Sequence, residues 1–139
     1  MAALSLTVTR DLCVQVIVPA DGPRQLPVAL HYDTSDPYAI QAVFHAARDQ
    51  EIAWVFAREL ATQGLDQPAG DGAVRIWPMS DHGCEVVRIA LRSPDGEALL
   101  QVDYDDVVEF LSSTYTLCPR GREQRYLHID HDLDALFPA

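Results

Sequence analysis

Leu4, Leu6 and Val8 alternate with Ser5, Thr7 and Thr9, the two-residue period of a strand with one buried face. Past Arg10-Asp11, LCVQVIV (12–18) continues with β-branched residues, as a second strand or as one bent strand. ADGPRQLP (20–27) reads as a turn around Asp21-Gly22-Pro23, and VALHYD (28–33) resumes a strand. DTSDP then interrupts it. Asp33, Thr34, Ser35 and Asp36 offer side-chain oxygens to nearby amides, and Pro37 presets a turn angle. Alternation returns at once, with Tyr38, Ile40, Ala42 and Phe44 on one face and Gln41, Val43 and His45 on the other. The stretch LHYDTSDPYAIQAVFH (30–45) is therefore predicted to be strand, Asx-type turn, strand.

EIAWVFA (51–57) is a further strand that passes into a short helix, ARELATQ (57–63), with Ala57, Leu60 and Ala61 on one face and Gly64 at its end. DQPAGDG (66–72) is a loop, AVRIWP (73–78) a strand stopped by Pro78, and MSDHG (79–83) a second loop. CEVVRIALRSPDGEALLQV (84–102) is the clearest hairpin, two apolar runs around Ser93-Pro94-Asp95-Gly96. The period then changes. Asp103 stands where a helix is capped, Val107, Phe110, Leu111 and Thr114 follow at helical spacing, and Pro119 and Gly121 end the helix. REQRYLHI (122–129) fits either state, and DHDLDALF (130–137) reads as a short terminal helix capped by Asp130 or Asp132. The sum is an α+β domain over residues 1–139. It has a mostly antiparallel sheet of about six to seven strands, one longer late helix and short helices.

A chain of 139 residues can bury a core without staples, and its 48% hydrophobic and 22% charged content is that of a soluble domain. The formal charge of −11 opposes a phosphate backbone as partner, although Arg120, Arg122 and Arg125 cluster locally. All ten basic residues are arginines, which excludes a Schiff-base lysine and a phosphate loop that needs one. Asparagine is also absent, and the joint loss of two A-rich codon families points to a GC-rich genome. Cys13, Cys84 and Cys118 are odd in number and far apart, so they read as reduced thiols rather than a disulfide framework or zinc site. The N-terminus lacks a signal-peptide pattern and no apolar run is long enough to cross a membrane. The chain is expected to be cytoplasmic.

The chemistry-bearing residues have plainer readings. His128 and His131, beside Asp130 and Asp132, lack a third metal ligand and read as a solvated acidic terminus. His82 and Cys84 are too close in sequence for a catalytic pair, and Cys84 is expected to be buried. His31 and His45 flank the first turn and are candidates to approach across a hairpin. Asp103, Asp105 and Asp106 suit a helix N-terminus. Trp54, Phe56 and Trp77 are expected in the core, with one exposed tryptophan a candidate interface anchor. No catalytic, cofactor or metal site is predicted. A nucleic-acid module would need a basic groove from Arg75, Arg88 or the Arg120–Arg125 cluster, and a small hydrolase would need a histidine and an aspartate at the first turn.

Five stretches add a resemblance: LHYDTSDPYA with FH shortly after, WVFARELATQGL, GDGAVRIWP, SPDGEALL and VVEFLSSTYTLCPRGRE. In this order and spacing, from about Val28 to Phe137, the chain resembles the SsgA-like proteins of actinomycetes, most of all their SsgB branch. The resemblance implies a non-enzymatic role in sporulation-specific cell division. It implies placement of the tubulin-like protein FtsZ at future septa, promotion of its assembly and cooperation with an SsgA-type relative at the division septum. It also implies a bell-shaped trimer of whirly-like architecture, an architecture shared with single-strand nucleic-acid binders, although fold analogy does not carry function. It supplies no catalytic residue, no cofactor and no partner-binding residue.

Overall fold

The computed structural model describes residues 6–17, 24–46 and 50–127. Seven strands form one antiparallel sheet: β1 (Thr7–Val16), β2 (Arg24–Asp33), β3 (Ala39–Ala46), β4 (Gln50–Ala57), β5 (Val74–Asp81), β6 (Cys84–Ser93) and β7 (Gly96–Asp103). Helix α1 (Arg58–Gly64) follows β4, and α2 (Tyr104–Leu117) follows β7. The spatial order is β4-β3-β2-β1-β7-β6-β5. Every neighbouring pair is antiparallel. This is the α+β class expected from the pattern, with seven strands.

The sheet is two hairpin-built halves with a narrow join. β1 runs beside β2 over ten residue pairs, but among the described residues pairs with β7 only at Gln15–Gln101 and Val16–Leu100, with the Ile17 amide donating to the Leu99 carbonyl just beyond. Beyond that join the halves splay, and α2 packs across β1, β6 and β7. Its buried face is Phe110, Leu111 and Thr114, with Val107 half-buried, as the spacing predicted. Arg10 on β1 pairs with Asp106 at 3.1 Å and Glu109 at 2.6 Å, fastening the helix to the strand. At the far side α1 contacts both β4 and β5, the two edges of the sheet, so the sheet curls around its apolar face. Val14, Val28, Ile40, Phe44, Leu100 and Val102 meet Phe110 and Leu111 there in one core.

Several boundaries differ from the sequence expectation. The first two apolar runs are one strand, because Arg10 and Asp11 keep the alternation instead of breaking it. β2 begins at Arg24 and passes through Pro27. β3 pairs with β2 only over Val28–His31, so Pro27 lies where one side of the ladder has ended, and a residue without an N–H is tolerated there. β5 likewise runs past Pro78 to Asp81, because it is an edge strand. The expected loop at 79–83 shrinks to a two-residue turn: His82 (φ 50°) and Gly83 (φ 82°) are both left-handed, the type I′ geometry that suits hairpin twist. Asp103 occupies the cap position of α2 but makes no side-chain cap hydrogen bond. Residues 123–127 form a helical turn, and the terminal helix expected at 130–137 lies outside the described residues.

Helix α1 buries Arg58, Ala61 and Gly64, whereas Ala57 is exposed and Leu60 only half-buried. Gly64 is required for closeness, not for an unusual backbone angle. A Cβ there would stand 2.4 Å from Ile76 Cγ2, and Ile76 is 2% exposed. Gly64→Ala is expected to destabilise the fold by about 2 kcal/mol through overpacking against β5. Denaturant melts read it, and an unchanged midpoint would show that α1 does not clamp the β5 edge.

Candidate functional site

The polar turn is used by the fold. Asp33 Oδ1 accepts from the Ser35 amide at 2.8 Å, the predicted Asx turn, and Thr7 Oγ1 donates to Asp33 Oδ2 at 3.1 Å. These bonds, the Ser35 amide first, hold the Asp33 carboxyl below its usual range. Thr34 is fully buried. Its amide donates to the Leu6 carbonyl and its Oγ1 accepts from the Leu6 amide, pinning Leu6 just ahead of β1. Tyr32 donates its hydroxyl to the Pro37 carbonyl at 2.9 Å. Burial, with a hydrogen bond involving Cys118, pushes the Tyr32 phenol far above its ordinary pKa, so it remains a donor.

Beneath this turn lies Arg58, 2% exposed. Its guanidinium carbon sits 4.9 Å from the centre of the Tyr32 ring and 4.1 Å from that of Tyr115, between two aromatic faces. Nη1 donates to the Thr114 carbonyl at 3.2 Å and the Cys118 carbonyl at 2.9 Å. These lie at the C-terminal end of α2, whose last turn has no basic residue of its own. Nη2 is buried without a hydrogen bond and faces Glu123 Oε2 at 3.5 Å. Burial pushes the Glu123 carboxyl up, but the amides of Glu123 and Gly121 and the charge of Arg58 outweigh it and hold it below its usual range. The arginine between WVFA and ELA is not singled out by the sequence pattern. Its one signal is a charge directly after the apolar run IAWVFA.

The other candidates disperse. His31 pairs across the strands with Gln41 and contacts Thr9 Oγ1, whereas His45 lies opposite Glu51 at 3.6 Å, so the two histidines do not meet. His82 stands in the β5–β6 turn with its side chain 95% exposed, and Cys84, expected to be buried, is exposed with Cys13. Only Cys118 is buried among the described cysteines. Asp106 serves Arg10 rather than a shared acid site. His128, His131, Asp130 and Asp132 lie outside the described residues. Among the described residues no group of three metal-ligating side chains converges. The described helices include none long and apolar enough to cross a membrane.

The aromatics divide between the faces. Trp54 and Phe56 line the apolar interior, which keeps a cavity of about 50 Å³. Trp77 points to the other face and is half-buried, opposite Arg88 on β6. Arg75 precedes it by two residues on the same face. Arg88 Nε donates to Gln101 Oε1 at 3.0 Å, and Gln101 Nε2 donates to Asp81 Oδ2 at 2.9 Å. Arg120 pairs with Glu59 on α1, while Arg122 and Arg125 are exposed on the segment after α2. The outer face of β5–β7 is thus the part of the sheet where cations and an aromatic ring stand together.

Residues 26–123 match the family model described as Streptomyces sporulation and cell division protein, SsgA. The chain belongs to the SsgA family. It is 42% identical over 130 residues to the sporulation-specific cell division protein SsgB of Streptomyces coelicolor, spanning 94% of this chain and 95% of the relative. To SsgB of Thermobifida fusca it is 41% identical over 133 residues, 96% of each chain. The crystal structure of an SsgA-like sporulation-specific cell division protein from Thermobifida fusca superposes with a TM-score of 0.90 at 40% identity, over 99% of this chain and 100% of that one. A solved SsgB structure, described with the finding that SsgB mutations correlate to longitudinal cell division during sporulation of Streptomyces coelicolor, gives 0.86 at 41% identity, over 91% and 99%. The SsgB branch is the one to which the residues pointed. In this SsgA-family chain the HYDTSDPYA stretch is a turn between two strands that closes over Arg58.

Asp33→Ala is expected to cost about 1 kcal/mol at neutral pH. Because the folded carboxyl titrates below 3.8, its contribution is complete above that pH and fades as pH falls through the lower folded value. The gap between wild-type and variant melting temperatures therefore narrows below pH 3.8, and a gap that is absent at pH 7 would remove the turn from the stability account. Arg58→Ala is expected to cost about 3 kcal/mol, and Arg58→Lys to recover little of it, since an ammonium lacks the flat guanidinium that lies between the two rings and has no second nitrogen to face Glu123. A lysine variant melting with the wild type would overturn that geometry.

Proposed function

We propose that this chain is a non-enzymatic adaptor of sporulation-specific septation that recruits FtsZ to future septum sites and promotes its assembly. The observation that carries the reading is 42% identity across nearly the whole chain to a protein named for sporulation-specific cell division. The structure is consistent with an adaptor in a particular way. The polar side chains of the signature turn and the arginine beneath it, Asp33, Thr34 and Arg58, are consumed in holding the fold, and free polar and aromatic positions lie on an open sheet face. The adaptor works in the cytoplasm at the septum with an SsgA-type relative, and as a trimer it presents each weak site three times to a polymer.

Co-pelleting with the cognate FtsZ, with and without GTP, tests this. The expected result is enrichment of the chain in the GTP-dependent pellet and more FtsZ sedimented, with a trimer mass in light scattering. No enrichment from a folded trimer would overturn direct recruitment, and a monomer mass would overturn the multivalent form of it. The alternative reading is a single-stranded nucleic-acid module, which the Arg75–Trp77–Arg88 face favours and the charge of −11 opposes. Salt-dependent retention on single-stranded DNA would favour that reading.

A further inference from the structure

We propose that the outer face of β5–β7 is a docking groove for an extended acidic segment of a partner protein, with carboxylates on Arg75 and Arg88 and an apolar side chain against Trp77. Arg75 is exposed and has no hydrogen bond or ion pair among the described residues. Arg88 is held differently. Its Nε is occupied by Gln101, which is 6% exposed and is itself oriented by Asp81. The two terminal nitrogens of Arg88 have no partner among the described residues, so the guanidinium is positioned with its donating end free. A fixed fork of this kind matches a carboxylate.

The ground between the two cations is apolar. Trp77 lies opposite Arg88, and Ala90 lies opposite Arg75 with Leu99 beyond it. Two hollows of about 370 and 390 Å³ share Arg75, one against Pro68 and Trp77, the other against Ala90 and Leu99. Arg92, paired with Glu97, closes one end. Arg75 and Arg88 are diagonal neighbours across β5 and β6, about 7–8 Å apart, and alternation along an extended peptide puts successive same-face side chains about 7 Å apart, so carboxylates two residues apart reach both cations and the next same-face side chain lies against Trp77. Charge complementarity selects the occupant. Two uncommitted guanidinium groups suit two or three carboxylates, whereas a nucleic acid needs many phosphates neutralised on a chain of −11.

The proposal deepens the adaptor reading by naming the partner chemistry, yet its test needs no FtsZ. A fluorescein-labelled nine-residue peptide, Glu-Ser-Glu-Ser-Leu-Ser-Glu-Ser-Glu, whose alternate positions place Glu and Leu on one face, is titrated with the intact protein and followed by anisotropy. The expected result is saturable, salt-sensitive binding, about tenfold weaker in Arg75→Gln/Arg88→Gln and within about twofold of wild type in Arg125→Gln, which removes a charge elsewhere. Trp77→Ala is expected to weaken it as well, with melting temperatures confirming that each variant is folded. No saturable binding by about 1 mM protein would overturn the proposal. So would equal weakening by Arg125→Gln, or tighter binding of labelled oligo-dT with the same arginine dependence. Failed FtsZ co-pelleting alongside intact peptide binding would overturn the FtsZ assignment and leave the groove standing.

Discussion

The fold turns on a single buried charge. Arg58 opens α1 directly after β4, yet the groups that satisfy it come from elsewhere: ring faces of Tyr32 and Tyr115, carbonyls of Thr114 and Cys118, and the Glu123 carboxylate. A guanidinium in an apolar setting is costly unless its donors are engaged, so these groups must assemble together. That requirement couples the signature turn, the end of α2 and the segment after it. It also compensates for a narrow join, because among the described residues the two halves of the sheet share two residue pairs. With Arg10 fastening the first turn of α2 to β1 and Arg58 receiving its last, the helix is held at both ends across the gap.

Much of this architecture was legible because alternation and helical spacing are one-dimensional signals. The β6–β7 hairpin, the apolar face of α2 and the turn at Asp33 follow from nearest neighbours in sequence. What was not legible depends on partners distant in sequence. Pro27 and Pro78 look like strand breaks until it is known which ladder side ends and which strand is an edge. His82-Gly83 forms a hairpin turn without the usual Asn-Gly signal, because histidine tolerates the left-handed region when glycine follows. Gly64 reads as a helix stop, but its necessity comes from Ile76, twelve residues away.

The candidate site was less legible for the same reason. Trp54, Phe56 and Trp77 share a composition signal, and only the curl of the sheet assigns the first two to the interior and the third to the outer face. Arg75 and Arg88 lie thirteen positions apart and become neighbours through β5–β6 register alone. Conversely, the polar DTSD turn proved to be internal scaffolding. Polar density marks a place where side chains replace backbone hydrogen bonds at least as readily as a place where chemistry occurs.

The two edges of the sheet constrain any assembly. β5 carries Pro78 and is partly covered by the antiparallel bridge between Ala69 and Ile76, so its edge is poorly suited to strand addition. β4 has no strand partner beyond β3 among the described residues, and exposes Val55 and Ile52. Pairing β4 with a second β4 closes as a dimer, because such a contact is its own partner. The proposed trimer needs two unlike surfaces meeting around a three-fold axis, and β5 cannot readily supply the second as a strand edge. A three-fold ring of this chain would therefore join through side-chain surfaces rather than through a continuous sheet.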